Sequence, residues 1–409
     1  MDYFIDYDYK KEYPCSLTRK SIYCTRLMYL IINRTDAEVV QNYLLGNPDE
    51  INVRNEEGDT ALMLASIFGN AHHNTQIVKI LLENGANVNL KRNEYGWTAL
   101  LMAVRNAGSY SNTETVRLLL EHRADLDMRD KDDWTALHFG ARYAASESSV
   151  ETIRLLLEKG ADINAKDNKG WTALMIAARY ARSTSNLETV RLLLEKGADV
   201  NSADTEGYTS LVLAAINVDR GSSLETVHLL LENRADVNTR FNDMTALMYV
   251  IKYLGSNNEK EVIHLLLKYG ADPNMINQDL FSIIWKNTHR MEIISLFLHY
   301  GFDPGNMMIE NKPFWDHVHV IWNEYDRYHR ISKYPKKSDL SVILKELPIK
   351  SQELLFRPNS LRFQIIDCHW NLNKYDEMKQ KYSILMIDLC IDDEEIFKMK
   401  IRDLFKYII

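Results

Sequence analysis

Few residues in this 409-residue sequence stand at spacings that support chemistry. His317-x-His319 beside Asp316 could begin a metal site, because imidazole and carboxylate are ordinary ligands of divalent metals. Two-residue spacing on a helix turns the two rings to different faces, however. Packing is the weightier reading, and no metal is expected. Cys15, Cys24, Cys368 and Cys390 are scattered without a C-x-x-C pair and read as reduced thiols of a cytoplasm-like compartment. The sequence holds no G-x-x-x-x-G-K-[ST], no G-x-S-x-G and no H-E-x-x-H. No catalytic residue and no cofactor are therefore expected, and the chain does not read as an enzyme.

What remains is recognition by contact. Trp97, Trp134, Trp171 and Tyr208 each stand immediately before a Thr and recur at an almost fixed step. Aromatic side chains are frequent interface anchors, combining large apolar area with a polar handle. Around them lie Asp130, Asp132, Asp133, Asp167, Asp204 and Glu206, interleaved with Arg129, Lys131, Lys166 and Lys169. If these charges act, they favour a partner with a basic patch. The competing reading is that the aromatics stiffen neighbouring turns and the charges are merely solvated. The candidate partner-binding residues are Trp97, Trp134, Trp171, Tyr208, Asp130, Asp133, Asp167, Lys169 and Asp204.

The elements that would position them are repeats. A Thr-small-Leu triplet starts at Thr60, Thr98, Thr135, Thr172, Thr209 and Thr245, in steps of 38, 37, 37, 37 and 36 residues. Degenerate copies stand at Thr25-Arg26-Leu27 and Phe281-Ser282-Ile283, giving about eight units over residues 22–304. Each triplet opens a first helix, and Ala65, Ala103, Gly140, Ala177 and Ala214 follow five residues on, small enough for helices to approach closely. A second helix of the type ETVRLLLEKG carries a buried stripe such as Val190, Leu193 and Leu194. Gly160, Gly197 and Gly270 end it in the left-handed conformation. A-D-V-N and D-x-x-G then build a turn, with Asn164, Asn201 and Asn238 expected to close it through their own side chains.

Ser111/Glu114, Ser148/Glu151, Ser185/Glu188 and Ser222/Glu225 have capping-box spacing ahead of the second helix, as do Thr35/Glu38 and Asn258/Glu261. The rest of the inter-helix insert is expected to lengthen the first helix by about a turn.

With D-N-K-G-W ahead of TALMIAARY and NLETVRLLLEKGADVN after it, the unit resembles the ankyrin repeat. The long inter-helix segment and the Tyr-rich, Pro-poor composition resemble the ankyrin proteins of giant amoeba-infecting DNA viruses. The resemblance implies an all-α solenoid of helix-turn-helix units with hairpin-like turns, binding a protein on its concave face. It also implies that an asparagine hydroxylase could act on the turn asparagines. Several positions depart from the family. Only Trp134-Thr135-Ala136-Leu137-His138 keeps the family's histidine, so the Thr–His hydrogen bond should be missing elsewhere. Arg123 and Arg234 replace the terminating glycine, at a cost of about 1 kcal/mol each. The unit around Arg240–Met244 is one residue short, which should tilt the stack there.

Residues 1–21 read as a polar lead, unlike a signal peptide, and residues 305–409 as a small, mostly helical domain covering the array's last apolar face. That last segment holds 17 Lys+Arg and 16 Asp+Glu, so the net charge of −8 sits in the repeats. Without a basic stripe, nucleic acid is disfavoured, and no apolar run is long enough to span a membrane. The sequence thus reads as a monomeric, cytoplasmic, non-catalytic protein-binding scaffold, in a host cell if viral. The alternative is an adaptor recruiting a ubiquitin ligase through an F-box-like region near Leu347-Pro348.

Overall fold

The computed structural model describes residues 24–314, apart from 68–71, 93–94, 108–110, 145–146, 219, 241, 255–258 and 305–306. The metal pair His317/His319, the Leu347-Pro348 motif, the cysteines other than Cys24, the N-terminal lead and nearly all of the C-terminal segment lie outside these residues. The described chain divides into two compact units, one ending at Ala235 and one starting at Asp236.

The first unit contains six helix pairs. They are α1 (Arg26–Ile32) with α2 (Ala37–Gly46), α3 (Ala61–Ile67) with α4 (His72–Glu83), and α5 (Ala99–Arg105) with α6 (Thr113–Glu121). The series continues with α7 (Ala136–Arg142) and α8 (Glu147–Glu158), α9 (Ala173–Tyr180) and α10 (Leu187–Glu195), then α11 (Ser210–Ile216) and α12 (Leu224–Glu232). The second unit holds α13 (Ala246–Lys252) with α14 (Glu259–Lys268), and α15 (Gln278–Lys286) with α16 (Arg290–His299). Its last described elements form a short hairpin, β1 (Met308–Ile309) and β2 (Lys312–Pro313). Phe314 follows the hairpin and packs edge-on against Phe281 of α15, at 5.8 Å between centroids, closing an aromatic cluster with Phe302 and Phe297.

The triplet threonine does what its position requires. Thr60, Thr98, Thr172 and Thr209 each accept the backbone N–H three residues on at 3.3 Å, satisfying a donor that a helix start leaves open. The last unit departs from the expected phase. Its first helix begins at Gln278, three residues before Phe281, and is capped by Asn277, whose Oδ1 accepts from Leu280 N at 3.0 Å.

The small residues five positions after the triplet threonines are buried, and at Gly140 the packing is tight. A Cβ added at Gly140 would sit 3.0 Å from Ile153 Cγ1 on the paired helix. The second helices end as a Schellman turn in glycine and arginine copies alike. Ala124 N donates to Leu119 O at 2.9 Å and Arg123 N to Leu120 O at 3.1 Å, with Arg123 and Arg234 both held at φ 65.

Three local expectations are corrected. The second helices are not capped by the predicted serines. Asn112, Asn186 and Ser223 are the N-caps, accepting from Thr115, Thr189 and Thr226 N at 2.8, 2.8 and 3.3 Å. Ser111, Ser185 and Ser222 stand one residue earlier, buried, with hydroxyls that have no hydrogen-bond partner. In α8 the helix already starts at Glu147, ahead of Ser148, and at α2 the cap position is Asp36 rather than Thr35. The reason is geometric: a residue before the cap still points inward, where neighbouring repeats pack.

The insert does not lengthen the first helices either, which stay at 7 or 8 residues. Its residues instead tie neighbouring repeats. Arg182 N donates to Gly221 O at 2.9 Å, Asn186 Nδ2 to Ala144 O at 2.6 Å, and the Arg142 guanidinium to Thr184 Oγ1. The turn asparagines likewise reach forward. Asn164 Oδ1 accepts from Asp199 N at 2.9 Å, and Asn238 bonds both Gly270 O and Asp272 N. The preceding aspartates close the turns, Asp162 and Asp199 accepting from Asn164 and Asn201 N at 3.0 Å.

Candidate partner-binding face

Each turn between units is a two-stranded finger. Its base is a backbone bond from the aspartate N–H to the carbonyl of the aromatic residue, Asp130 to Trp134, Asp167 to Trp171 and Asp204 to Tyr208, at 3.0–3.1 Å. Neighbouring fingers join directly: Lys131 N donates to Tyr95 O, Asn168 N to Asp132 O and Thr205 N to Lys169 O. The close approach explains Gly170, at φ 81, where a Cβ would lie 3.0 Å from Thr205 N.

The aspartates work inside this lattice. Asp130 Oδ1 accepts from Asp132 N and Trp134 N at 2.9 and 2.8 Å, while its Oδ2 accepts from the indole Nε1 of Trp97 at 3.3 Å. Asp167 repeats the pattern, taking Lys169 N, Trp171 N and, at 3.0 Å, the Nε1 of Trp134. Each carboxylate therefore folds its own finger and holds the indole of the unit before it. Asp204 folds its finger through Glu206 N and Tyr208 N. Burial pushes the carboxyls of Asp130 and Asp204 up, against the backbone N–H bonds that pull them down.

At the first junction the same two positions carry an ion pair instead. Asp59 stands where the tryptophans stand, and Arg92 where the aspartates stand, with Arg92 Nε 3.2 Å from Asp59 Oδ1. Both are buried, and desolvation raises the Asp59 pKa more than Arg92 lowers it.

His138 is the family-type histidine of α7 and is fully buried. Its Nδ1 accepts from Thr135 N at 3.1 Å and lies 2.9 Å from Thr135 Oγ1. Its Nε2 lies 3.0 Å from Trp171 O in the next unit. That arrangement fits the neutral ring with the proton on Nε2, and burial holds its pKa below the ordinary value. In two other copies a methionine takes the place: Thr172 N points at Met175 Sδ at 3.5 Å and Thr245 N at Met248 Sδ at 3.3 Å.

The predicted residues therefore separate. Trp97 is only 3% exposed, wedged edge-on against Phe139, which also meets Trp134. Asp130 and Asp204 are buried too. Trp134, Asp167, Trp171 and Tyr208 are half-buried, and Asp133 and Lys169 are exposed. Among the interleaved cations, Arg129 and Lys166 donate to Lys166 O and Ala203 O of the following unit at 2.7 and 2.8 Å, stapling fingers together.

Three further residues were not among the sequence candidates. Arg105, Arg142 and Arg179 follow their triplet threonines by seven residues in three consecutive units, a periodicity visible in the sequence. They join a continuous alternation of rings and guanidinium groups. Arg105 lies 5.2 Å from the Trp97 ring and 5.4 Å from Tyr143. Arg142 lies 5.5 Å from Tyr143 and 3.6 Å from Tyr180. Arg179 lies 5.3 Å from Tyr180 and 5.5 Å from Trp171. All are within cation–π range. Everything in α5 and α7 before these arginines is buried, and in α9 everything before Tyr180.

Ankyrin repeats match the sequence over residues 27–130, 107–167, 142–240 and 181–277, together more than half of the chain. The chain belongs to the ankyrin repeat family. It is also similar to ankyrin repeat proteins of Acanthamoeba polyphaga mimivirus. Three of them are 38% identical over 105 residues, 36% over 94 and 38% over 90, covering 21–22% of this chain. The matched stretch spans only 16–17% of these relatives' own length. As in ankyrin arrays generally, contacts between neighbouring repeats carry the fold. Among the described residues no cluster of His, Cys, Asp and Glu could hold a metal ion, and no helix is long and apolar enough to cross a membrane.

Proposed function

We propose that this ankyrin array is a non-catalytic scaffold that binds a protein on the side formed by its fingers and the ends of its first helices. The observation that carries this reading is the division of labour among the aromatics. Trp97 is used up inside, whereas the Trp171 indole is half-buried and its Nε1 makes no hydrogen bond with a described residue. Beside it run Tyr208, Trp134, Asp133 and Lys169, all at least partly accessible. An amphipathic aromatic with an available donor is the usual form of an interface anchor. The viral origin of the similar proteins supports a host protein as the partner and the host cytoplasm as the place of encounter.

The test is selection of binders from a displayed host-protein library on the immobilised, folded chain. Trp171→Ala should weaken selected binders roughly thirtyfold, the scale of an interface hot spot, without shifting the unfolding midpoint much. Trp97→Ala should instead lower the midpoint, because it empties a packed site. Binders indifferent to both Trp171→Ala and Tyr208→Ala, or no enrichment at all, would refute the assignment.

A further inference from the structure

The first helices offer a partner very little. In α5 and α7 the six residues before the arginine are buried, and only Arg105 and Arg142 remain partly accessible. In α9 the accessible residue is Tyr180, stacked on Arg179. The part of this side that lies beside the fingers is therefore cationic and aromatic, although the repeats carry the chain's net negative charge. Among the finger acids, Asp130 and Asp167 direct their oxygens at indole and backbone N–H groups of the fingers.

We infer that Arg105 and Arg142, with the Tyr143 and Tyr180 rings beside them, receive an extended acidic segment of the partner with carboxylates three residues apart, while Arg179, itself buried, lies 5.3 Å from the Tyr180 ring. This rests on the binding reading above and names the partner's chemistry. The spacing comes from packing: neighbouring helices lie about 8–10 Å apart, so one guanidinium follows another at about that interval. A polyproline-II strand rises about 3.1 Å per residue with three residues per turn, so every third side chain projects on one side at about 9 Å intervals. A β-strand alternates faces and would point every second such residue away. Guanidinium N–H groups donate to carboxylates as a two-pronged fork, and two rings within 3.6–5.5 Å of Arg105 and of Arg142 help to hold each fork in place before the ligand arrives. The intervening residues of such a segment would meet Tyr143 and Tyr180.

The probe is a fluorescein-labelled repeated Glu-Pro-Pro peptide, with repeated Lys-Pro-Pro and Ser-Pro-Pro peptides as controls, titrated against the full chain by fluorescence polarisation. The Glu peptide should bind, weaken steeply with added salt, and outcompete both controls. Arg142→Gln should weaken it roughly tenfold, the scale of one charge-assisted hydrogen-bonded contact. Arg117→Gln, on an exposed part of α6, should leave it unchanged. Arg142→Lys keeps the charge and should bind between the two, which separates recognition from loss of packing. Equal binding of the Glu and Lys peptides, or a Glu peptide indifferent to Arg142→Gln in a folded variant, overturns the inference. If library binders are selected but lack acidic residues, the acidic-segment inference falls while the scaffold reading stands; if no binder of any kind emerges, both fall.

Discussion

The junction between Trp134 and Asp167 allows the repeat-to-repeat coupling to be measured one bond at a time. Asp167→Asn keeps Oδ1, and with it the bonds from Lys169 and Trp171 N at 2.9 and 2.8 Å that shape the finger. It replaces Oδ2, the acceptor of Trp134 Nε1 at 3.0 Å, with a donor. Trp134→Phe removes the other half of the same bond and keeps the ring against Phe139. A hydrogen bond to a charged group contributes more than the ordinary 1 kcal/mol, but both side chains here are only half-buried. The expected coupling is therefore about 1 kcal/mol.

Each single variant should cost about 1–2 kcal/mol, and the double variant little more than the worse single one, because the second change removes a group already left unpaired. Urea unfolding followed by both circular dichroism and tryptophan fluorescence supplies the numbers, with coincident transitions establishing that one free energy describes each variant. Single-variant losses that add to within about 0.3 kcal/mol would show that the indole and carboxylate do not interact. The carboxylate would then serve its own finger alone, and Trp134 would be as available to a partner as Trp171.

Two further outcomes follow from the same geometry. Asn186→Ala should cost about 1–2 kcal/mol, since it removes both the cap on Thr189 N and the bond to Ala144 O. Ser185→Ala should be neutral or stabilising, since that buried hydroxyl has no partner; thermal melting of the pair decides, and the capping-box arrangement would give the reverse order. His138, whose folded pKa is depressed by burial, contributes stability that is present above its unfolded value near 6.5 and lost as pH falls through and below it. Burial acts oppositely on Asp59, Asp130 and Asp204, which favour the native state as pH falls through their raised values. His138→Met, the residue used at Met175 and Met248, should therefore reduce the loss of melting temperature between about pH 7 and 5. An unchanged slope would mean that another group carries it.

The sequence by itself determined the repeat, its phase over six copies, the threonine starts of the first helices and the left-handed stops, including Arg123 and Arg234. These are local matters: a donor three residues away, or a positive φ after a helix, is written into a few neighbouring positions. It also placed the aromatic ladder and the finger aspartates at the right spacing.

Only the tertiary structure decided what those residues do, because their partners lie a whole repeat away. Asp130 looks solvated until the Trp97 indole arrives from 33 residues upstream. Asn164 looks like a turn closer until its amide oxygen meets Asp199 N, 35 residues on. Ser185 and Asn186 both satisfy a capping pattern in sequence, and only the packing of the next repeat determines which of the two faces inward. The arginine row shows the same limit from the other side. Its period was legible, but its meaning depends on Arg105 and Arg142 each meeting a tyrosine ring of the next repeat, and a contact across repeats is written in no single one of them.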